Sequence, residues 1–132
     1  MIDIKSLIFT PIAQAVRSQY HASVDSDYVR TPSKFPHVSI VETDNYTTPR
    51  HLDNGNAEKY ATIMIEVNVY SNLTVGKESE CRAIMSLVDT MMYGFNFTRI
   101  SMTPVPNYED ATIYRLTARY RAVSDGTNTY RI

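Results

Sequence analysis

The longest alternation of apolar and polar positions lies at 60–72, "YATIMIEVNVYSN". Every second residue from Ala61 to Val69 is apolar, whereas the positions between them include Glu66 and Asn68. A period of two residues is typical of a β-strand that packs one face on a core. The sequence therefore predicts a strand over 60–72 whose second face is the wetter one.

A second alternation occupies 111–123 and contains the stretch "ATIYRLTARYRA". It predicts another long strand with one face on the core and three arginines on the other. The predicted core face carries Tyr114, Leu116, Ala118, Tyr120 and Ala122, and the opposite face carries Ile113, Arg115, Thr117, Arg119 and Arg121.

The segment 77–93 has apolar residues at helical spacing. Glu78 and Glu80 fall in its first turn, where the helix dipole favours negative charge, and Gly94 is a suitable stop. Cys81 lies on the apolar stripe, which predicts a small buried side chain and not a nucleophile. The stripe consists of Cys81, Ile84, Met85, Val88, Met91 and Met92, opposite the polar Glu78, Arg82, Ser86 and Asp89.

The residues 3–20 also follow helical spacing, with Asp3 as a candidate N-cap. Pro11 leaves two interpretations, because an interior proline removes one backbone hydrogen bond. Either one bent helix covers the segment, which we favour, or a helix begins afresh with Thr10 as cap. The apolar positions are Leu7, Ile8, Ile12, Val16 and Tyr20.

Weaker patterns complete the fold prediction. Strands are expected at 37–42 and at 95–104, the latter ended by Pro104 and Pro106. We predict a long loop over 43–59 and a loose polar tail over 124–132. The order of elements predicts one α+β domain over 1–132, with an antiparallel or mixed β-sheet packed on one face by two α-helices.

Composition narrows the class of protein. Thirteen basic and fourteen acidic residues give a net charge of -1, which argues against a general nucleic-acid binder. The single cysteine cannot form an internal disulfide, so folding does not require an oxidising compartment. No apolar run approaches the length of a membrane span, and the start shows no secretory signal. We expect the protein inside a cell, or inside a particle assembled there.

Residue types that carry chemistry are scattered. His21, His37 and His51 lie in three segments without metal-site spacing, which predicts surface or turn histidines. The adjacent acids Glu109 and Asp110 fall in a predicted hairpin turn. The four glycines form no phosphate-binding loop. The sequence therefore predicts no catalytic, metal-binding or cofactor-binding residues, and a protein that is not an enzyme.

The three arginines of the last long strand allow three interpretations. They could bind phosphates of a nucleic acid, or cover the outer side of a sheet while pairing with acids such as Glu66. They could also meet carboxylates of a neighbouring chain, because arginine is enriched at interfaces and lysine is depleted there. All four basic residues between 99 and 121 are arginines, which favours the interface.

Several segments together resemble the tail-terminator, or tail-completion, proteins of long-tailed bacteriophages. They are "FPHVSIVETDN", "IEVNVYSN", "GKESECRAIMSLVDTMM", "GFNFTR" and "PVPNYEDATIYRLTARYRAV". The resemblance covers roughly residues 1–123, and the ending "YEDATIYRLTARYRA" is its most specific part.

This resemblance implies a structural virion protein of the tail–neck region, assembled in the host bacterial cytoplasm. Such a protein caps the tail tube as a hexameric ring, ends tail elongation and presents a surface to the head-side connector. Its partners are copies of itself, the tube protein and the head-completion protein, while DNA only passes through the channel. The resemblance implies no cofactor, and a mixed sheet with helices on one side.

The long loop over 43–59, which contains Arg50, His51 and Asp53, is the candidate segment for ring assembly or docking. Together with Glu66 and the three arginines, these residues form the expected interface. A head-side neck adaptor or stopper of the same particle is the first alternative. A small nucleic-acid-binding module is a remote one.

Overall fold

The computed structural model describes residues 1–27, 32–47, 60–106 and 110–131. Within these ranges the chain forms two helices and six strands. The helices are α1 (Lys5–Tyr20) and α2 (Lys77–Gly94); the strands are β1 (Ser23–Asp25), β2 (His37–Thr47), β3 (Ala61–Ser71), β4 (Thr98–Val105), β5 (Tyr114–Ser124) and β6 (Thr129–Tyr130).

The strands form one mixed sheet in the order β1-β2-β3-β5-β4, and β6 pairs with β5. Only the pairing of β1 with β2 is parallel; the other pairings are antiparallel. The two long alternating segments, β3 and β5, are neighbours in the middle of the sheet. The predicted α+β class with a mixed sheet is confirmed.

Both helices contribute to the same hydrophobic core as one face of the sheet. The strand register explains why that face is continuous, because apolar residues of β2, β3 and β5 fall into common rows across the strands. One row is Val38, Val69 and Leu116, and the next is Ile40, Val67 and Ala118. Buried helical residues lie over them, namely Ile8, Ile12 and Val16 of α1 and Cys81, Ile84, Met85, Val88 and Met92 of α2.

Helix α1 is one continuous element that contains Pro11, as favoured. It begins later than predicted, since Ile4 is the N-cap residue and Asp3 lies one position before it. The Asp3 carboxylate still accepts a hydrogen bond from the Lys5 amide at 3.1 Å. Leu7 was wrongly assigned to the apolar stripe, because its side chain is 57% exposed.

Helix α2 agrees with its prediction to within one residue at its end. Cys81 is fully buried, and burial raises the pKa of its thiol to about 12. A thiol with such a pKa is not a thiolate at neutral pH, so the prediction of a packed, unreactive cysteine is supported by its environment. Met91 is only partly buried at the edge of the core.

Strand β2 corrects the prediction for 37–42 and for the loop after it. The strand continues to Thr47, with a register shift between Glu42 and Asp44. A bulge changes which residues share a face, and this hides the strand period from the sequence. Residues 43–47 therefore belong to the sheet, and the remainder of the predicted loop, 48–59, lies outside the described residues.

Strand β4 begins at Thr98 and not at residue 95, and Pro104 lies inside it. Proline was expected to end this strand because it has no amide hydrogen. At the edge of a sheet, however, an amide that points away from the neighbouring strand has no ladder partner to lose. Strand β5 likewise begins at Tyr114 instead of 111, after a turn in which Asp110 accepts a hydrogen bond from the Thr112 amide.

The C-terminal segment is not the loose tail that its polarity predicted. Asp125 accepts hydrogen bonds from the amides of Thr127 and Asn128, which turns the chain so that β6 pairs with β5. Beyond it, the Arg131 guanidinium donates to the carbonyl of Tyr93 at 2.8 Å and lies 4.0 Å from the centre of that ring. A cation at the last carbonyls of α2 complements the helix dipole.

Candidate interaction surface

The sheet face opposite the helices, here called the polar face, carries the predicted arginines. No helix of the described residues covers it, yet several of its polar side chains are buried: Ser39, Thr62, Glu66, Asn68 and Thr117. The prediction of a wet second face for β3 is therefore wrong. For Glu66 and Asn68 the reason is that arginine side chains of β5 reach across to β3 and bond to their polar groups.

Arg119 and Glu66 are cross-strand neighbours that form an ion pair. The Arg119 Nε atom lies 3.0 Å from Oε1 of Glu66, and the Glu66 side chain is only 6% exposed, against 56% for Arg119. The expected pairing of this row with Glu66 is thus confirmed for Arg119. A buried carboxylate is expensive to leave alone, so Glu66 fixes the arginine stem while most of the guanidinium remains in solvent.

Asn68 is the centre of the hydrogen bonding on this face. Its Oδ1 atom accepts from Nε of Arg115 at 2.9 Å and from the Thr117 hydroxyl at 2.7 Å. Its Nδ2 atom donates to Oε2 of Glu66 at 3.3 Å. Because Asn68 is completely buried, these bonds replace the ones that it would make to water. We call Glu66, Asn68, Arg115, Thr117 and Arg119 the polar network.

Arg115 is held more tightly than the other arginines. Besides its bond to Asn68, its guanidinium carbon lies 5.7 Å from the centre of the Tyr70 ring. Burial raises the pKa of Tyr70, and the Arg115 charge acts in the opposite direction. Arg115 is only partly exposed, so part of its donor capacity is used within the chain.

Arg121 is the free member of the row. It is exposed, and among the described residues its side chain has no hydrogen bond or ion pair. Its cross-strand neighbours are Met64 on β3 and Thr98 on β4, neither of which is charged. The three arginines therefore differ in the hydrogen bonds and ring contacts that they make within the chain: Arg115 makes the most and Arg121 none that is described. The guanidinium of Arg121 is available to a partner.

His37 contradicts the expectation of a surface or turn histidine. It lies in β2, it is 6% exposed, and its Nδ1 atom is 2.6 Å from the hydroxyl of Ser23 on β1. Its Nε2 atom has no hydrogen-bond partner in the described part of the chain. Burial lowers the pKa of His37, and the nearby carboxylate of Asp25 opposes that shift in part.

Lowering the pH below about 6.5 should therefore reduce the free energy of unfolding. Above this value His37 is neutral in both states, whereas below it the unfolded chain gains the proton first, because the folded pKa is lower. We expect His37→Gln to reduce the difference in urea-unfolding free energy between about pH 7.5 and about pH 5. The matched control is His21→Asn, since exposed His21 has a φ of 53° that asparagine also adopts. Equal pH slopes for His37→Gln and the unmodified chain would contradict the assignment.

Arg50, His51 and Asp53 lie outside the described residues, so their expected role stays a prediction. Across residues 1–27, 32–47, 60–106 and 110–131, no three His, Cys, Asp or Glu side chains are grouped as metal ligands. In the same ranges, neither helix is long and apolar enough to cross a membrane.

Sequence reasoning missed the buried members of the polar network, Asn68 and Thr117. A signal was present, since Glu66 and Asn68 are two residues apart on the face that the alternation left polar. An acid and an amide at that spacing, opposite a strand with arginines at every second or fourth position, are suited to cross-strand bonding. What could not be predicted is the register that places Asn68 beside Thr117.

Neither a scan against models of protein families nor a search of curated proteins finds a match to this chain. The geometry of the polar face therefore carries the argument for function.

Proposed function

We propose that this chain is a structural subunit that binds through its polar face, and that it caps the tail tube of a long-tailed bacteriophage as a ring. In this role it ends tube growth and provides the surface to which the head-side connector joins. Its partners are further copies of the chain, the tube protein and the connector protein. It acts in the tail–neck region of a virion assembled in the bacterial cytoplasm.

The observation that carries the proposal is the prepared row of arginines on a sheet face without helices. Arg115 and Arg119 are held by Asn68 and Glu66, and Arg121 is free. Side chains that are already ordered lose less conformational entropy on binding, which favours an interface over an unstructured charged surface. The planar guanidinium also suits carboxylates of a protein partner. The similarity of the segments to tail terminators supplies the particular partner.

The simpler alternative is that the arginines only cover the sheet. The Arg119–Glu66 pair fits that role as well, since cross-strand pairs of opposite charge stabilise a sheet by about 0.2–1 kcal/mol. Arg121 separates the two roles, because it has no described partner within the chain and so contributes little to folding.

Arg121→Glu should reduce the binding of the chain to tail tubes about tenfold, because it reverses a charge at the interface. Tubes assembled from the tube protein of the same genome would be mixed with purified chain and examined by electron microscopy for rings at their ends. Arg82→Glu is the matched control, as it makes the same charge change on the exposed side of α2. Reversal at Arg119 is less suitable, because it would place a second carboxylate beside buried Glu66.

Each alternative function is distinguished by its own measurement alongside the mixing experiment. A chain that ignores tubes but cross-links to portal-associated proteins is a head-side adaptor or stopper. DNA affinity that falls steeply with salt and is lost in Arg121→Glu indicates a nucleic-acid-binding module. Unchanged capping by Arg121→Glu leaves the arginines as a covering of the sheet.

A further inference from the structure

The charges of the sheet are separated by strand. Every Asp, Glu, Lys or Arg in β1 and β2 is acidic, and every one in β4 and β5 is an arginine. The acidic residues are Asp25, Glu42 and Asp44, and the basic ones are Arg99, Arg115, Arg119 and Arg121. Since β1–β2 and β5–β4 lie at opposite ends of the strand order, the acidic residues lie at one side of the sheet and the arginines at the other. Arg99 and Arg119 are paired within the chain with Asp89 and Glu66, and Arg115 and Arg121 have no ion pair among the described residues.

Several of these charges share the polar face. Asp25 pairs in register with Ser39, which lies in the row of Asn68 and Thr117, and Asp44 pairs with Met64, the neighbour of Arg121. Both aspartates are exposed, and among the described residues neither has an ion pair. Each carboxylate accepts a hydrogen bond from the amide of the following residue, Ser26 or Asn45, and keeps its charge. One face of one chain therefore carries carboxylates without an ion pair near β1–β2 and the free Arg121 near β4.

We infer that copies of this chain associate head to tail, with the acidic β1–β2 side of one copy beside the basic β5–β4 side of the next. This inference rests on the proposed ring and identifies which parts of the subunit meet. Pairing two like sides across a two-fold axis would oppose acid to acid or arginine to arginine, which is unfavourable. The head-to-tail arrangement instead places unlike charges beside each other at every junction, and all junctions are the same.

The contact is made by side chains and not by a continuous backbone ladder. Strand β4 has a register shift between Arg99 and Ser101, and it contains Pro104. Bulges and prolines at an edge are the features that prevent strand-to-strand addition. The exposed Asp44 and Arg121 occupy corresponding rows, because both are neighbours of Met64 on β3. Within one chain, Thr98 of the edge strand β4 continues this row beyond Arg121.

The test compares two charge reversals with their combination. Asp44→Arg and Arg121→Glu should each weaken self-association of the full chain about tenfold at low salt, as measured by sedimentation velocity over a range of protein concentrations. The double variant, in which the two charges are exchanged on one chain, should recover most of the loss. Glu78→Arg and Arg82→Glu, an exposed i,i+4 pair on α2, are the controls for each charge change and should have no effect.

Three results would overturn the inference. They are a double variant weaker than either single variant, assembly that stops at a dimer, and a chain that stays monomeric at high concentration and low salt. None of these results tests whether the chain caps tubes. The experiment that mixes the unmodified chain with tail tubes measures capping separately. Conversely, recovery of self-association in the double variant supports the head-to-tail contact, and if the unmodified chain does not cap tubes the proposed function is rejected while that contact stands.

Discussion

Tyr120→Ala is expected to lower the free energy of unfolding by about 3–5 kcal/mol, the usual range for removing a buried aromatic side chain. Tyr120 is 1% exposed in the core between the sheet and α2. Its hydroxyl also donates to Asp89 of α2 at 2.9 Å, and Arg99 of β4 pairs with the same carboxylate at 3.1 Å. The substitution would leave a cavity and remove one of the two bonds that join Asp89 to the sheet.

Tyr120→Phe separates the two contributions. It keeps the ring and removes only the hydroxyl, and because Asp89 retains Arg99 the loss should be about 0.5–1.5 kcal/mol. Burial and the Asp89 carboxylate both raise the pKa of Tyr120, so the phenol is protonated and donates at neutral pH. Urea unfolding of both variants at neutral pH measures the difference. If Tyr120→Phe were as damaging as Tyr120→Ala, packing would not be the main contribution.

The elements that could be predicted from the sequence are those with an uninterrupted period. Strands β3 and β5 and helix α2 alternate or repeat without a break, and their bounds differ from the predictions by three residues at most. Strand β2 has a bulge after Glu42 that shifts its register, so only its first half was found. The C-terminal pairing of β6 depends on the Asp125 turn, which has no apolar period at all.

The candidate surface was predictable in its charges but not in its burial. The arginine row follows from the alternation of β5, and the Arg119–Glu66 pair was expected as a cross-strand contact. The bonds that satisfy buried Glu66 and Asn68 depend on the rotamers of Arg115 and Arg119, which no periodicity encodes. The burial of His37 was not predicted either, because it depends on the short parallel strand β1 that lies beside it.

Asn68→Leu should cost about 2–4 kcal/mol, although leucine has a similar size and suits a strand. The substitution removes the acceptor of the buried Thr117 hydroxyl and of Arg115, together with a donor to Glu66. A buried polar group without a partner loses its bonds to water and gains nothing in exchange. We also expect the variant chain to bind more weakly to the partners that contact Arg121, because Arg115 would no longer be held in the row of arginines.

A double-mutant cycle with Thr117→Val tests whether the loss comes from unpaired polar groups. Thr117→Val alone leaves the Asn68 oxygen with one of its two donors, so it should be a milder change. In the combined variant the unpaired hydroxyl is gone, and an apolar pair takes the place of a hydrogen-bonded one. The combined variant should therefore lose less unfolding free energy, measured in urea, than the sum of the losses in the two single variants. Strict additivity would mean that Asn68 stabilises the sheet by some means other than its bond to Thr117.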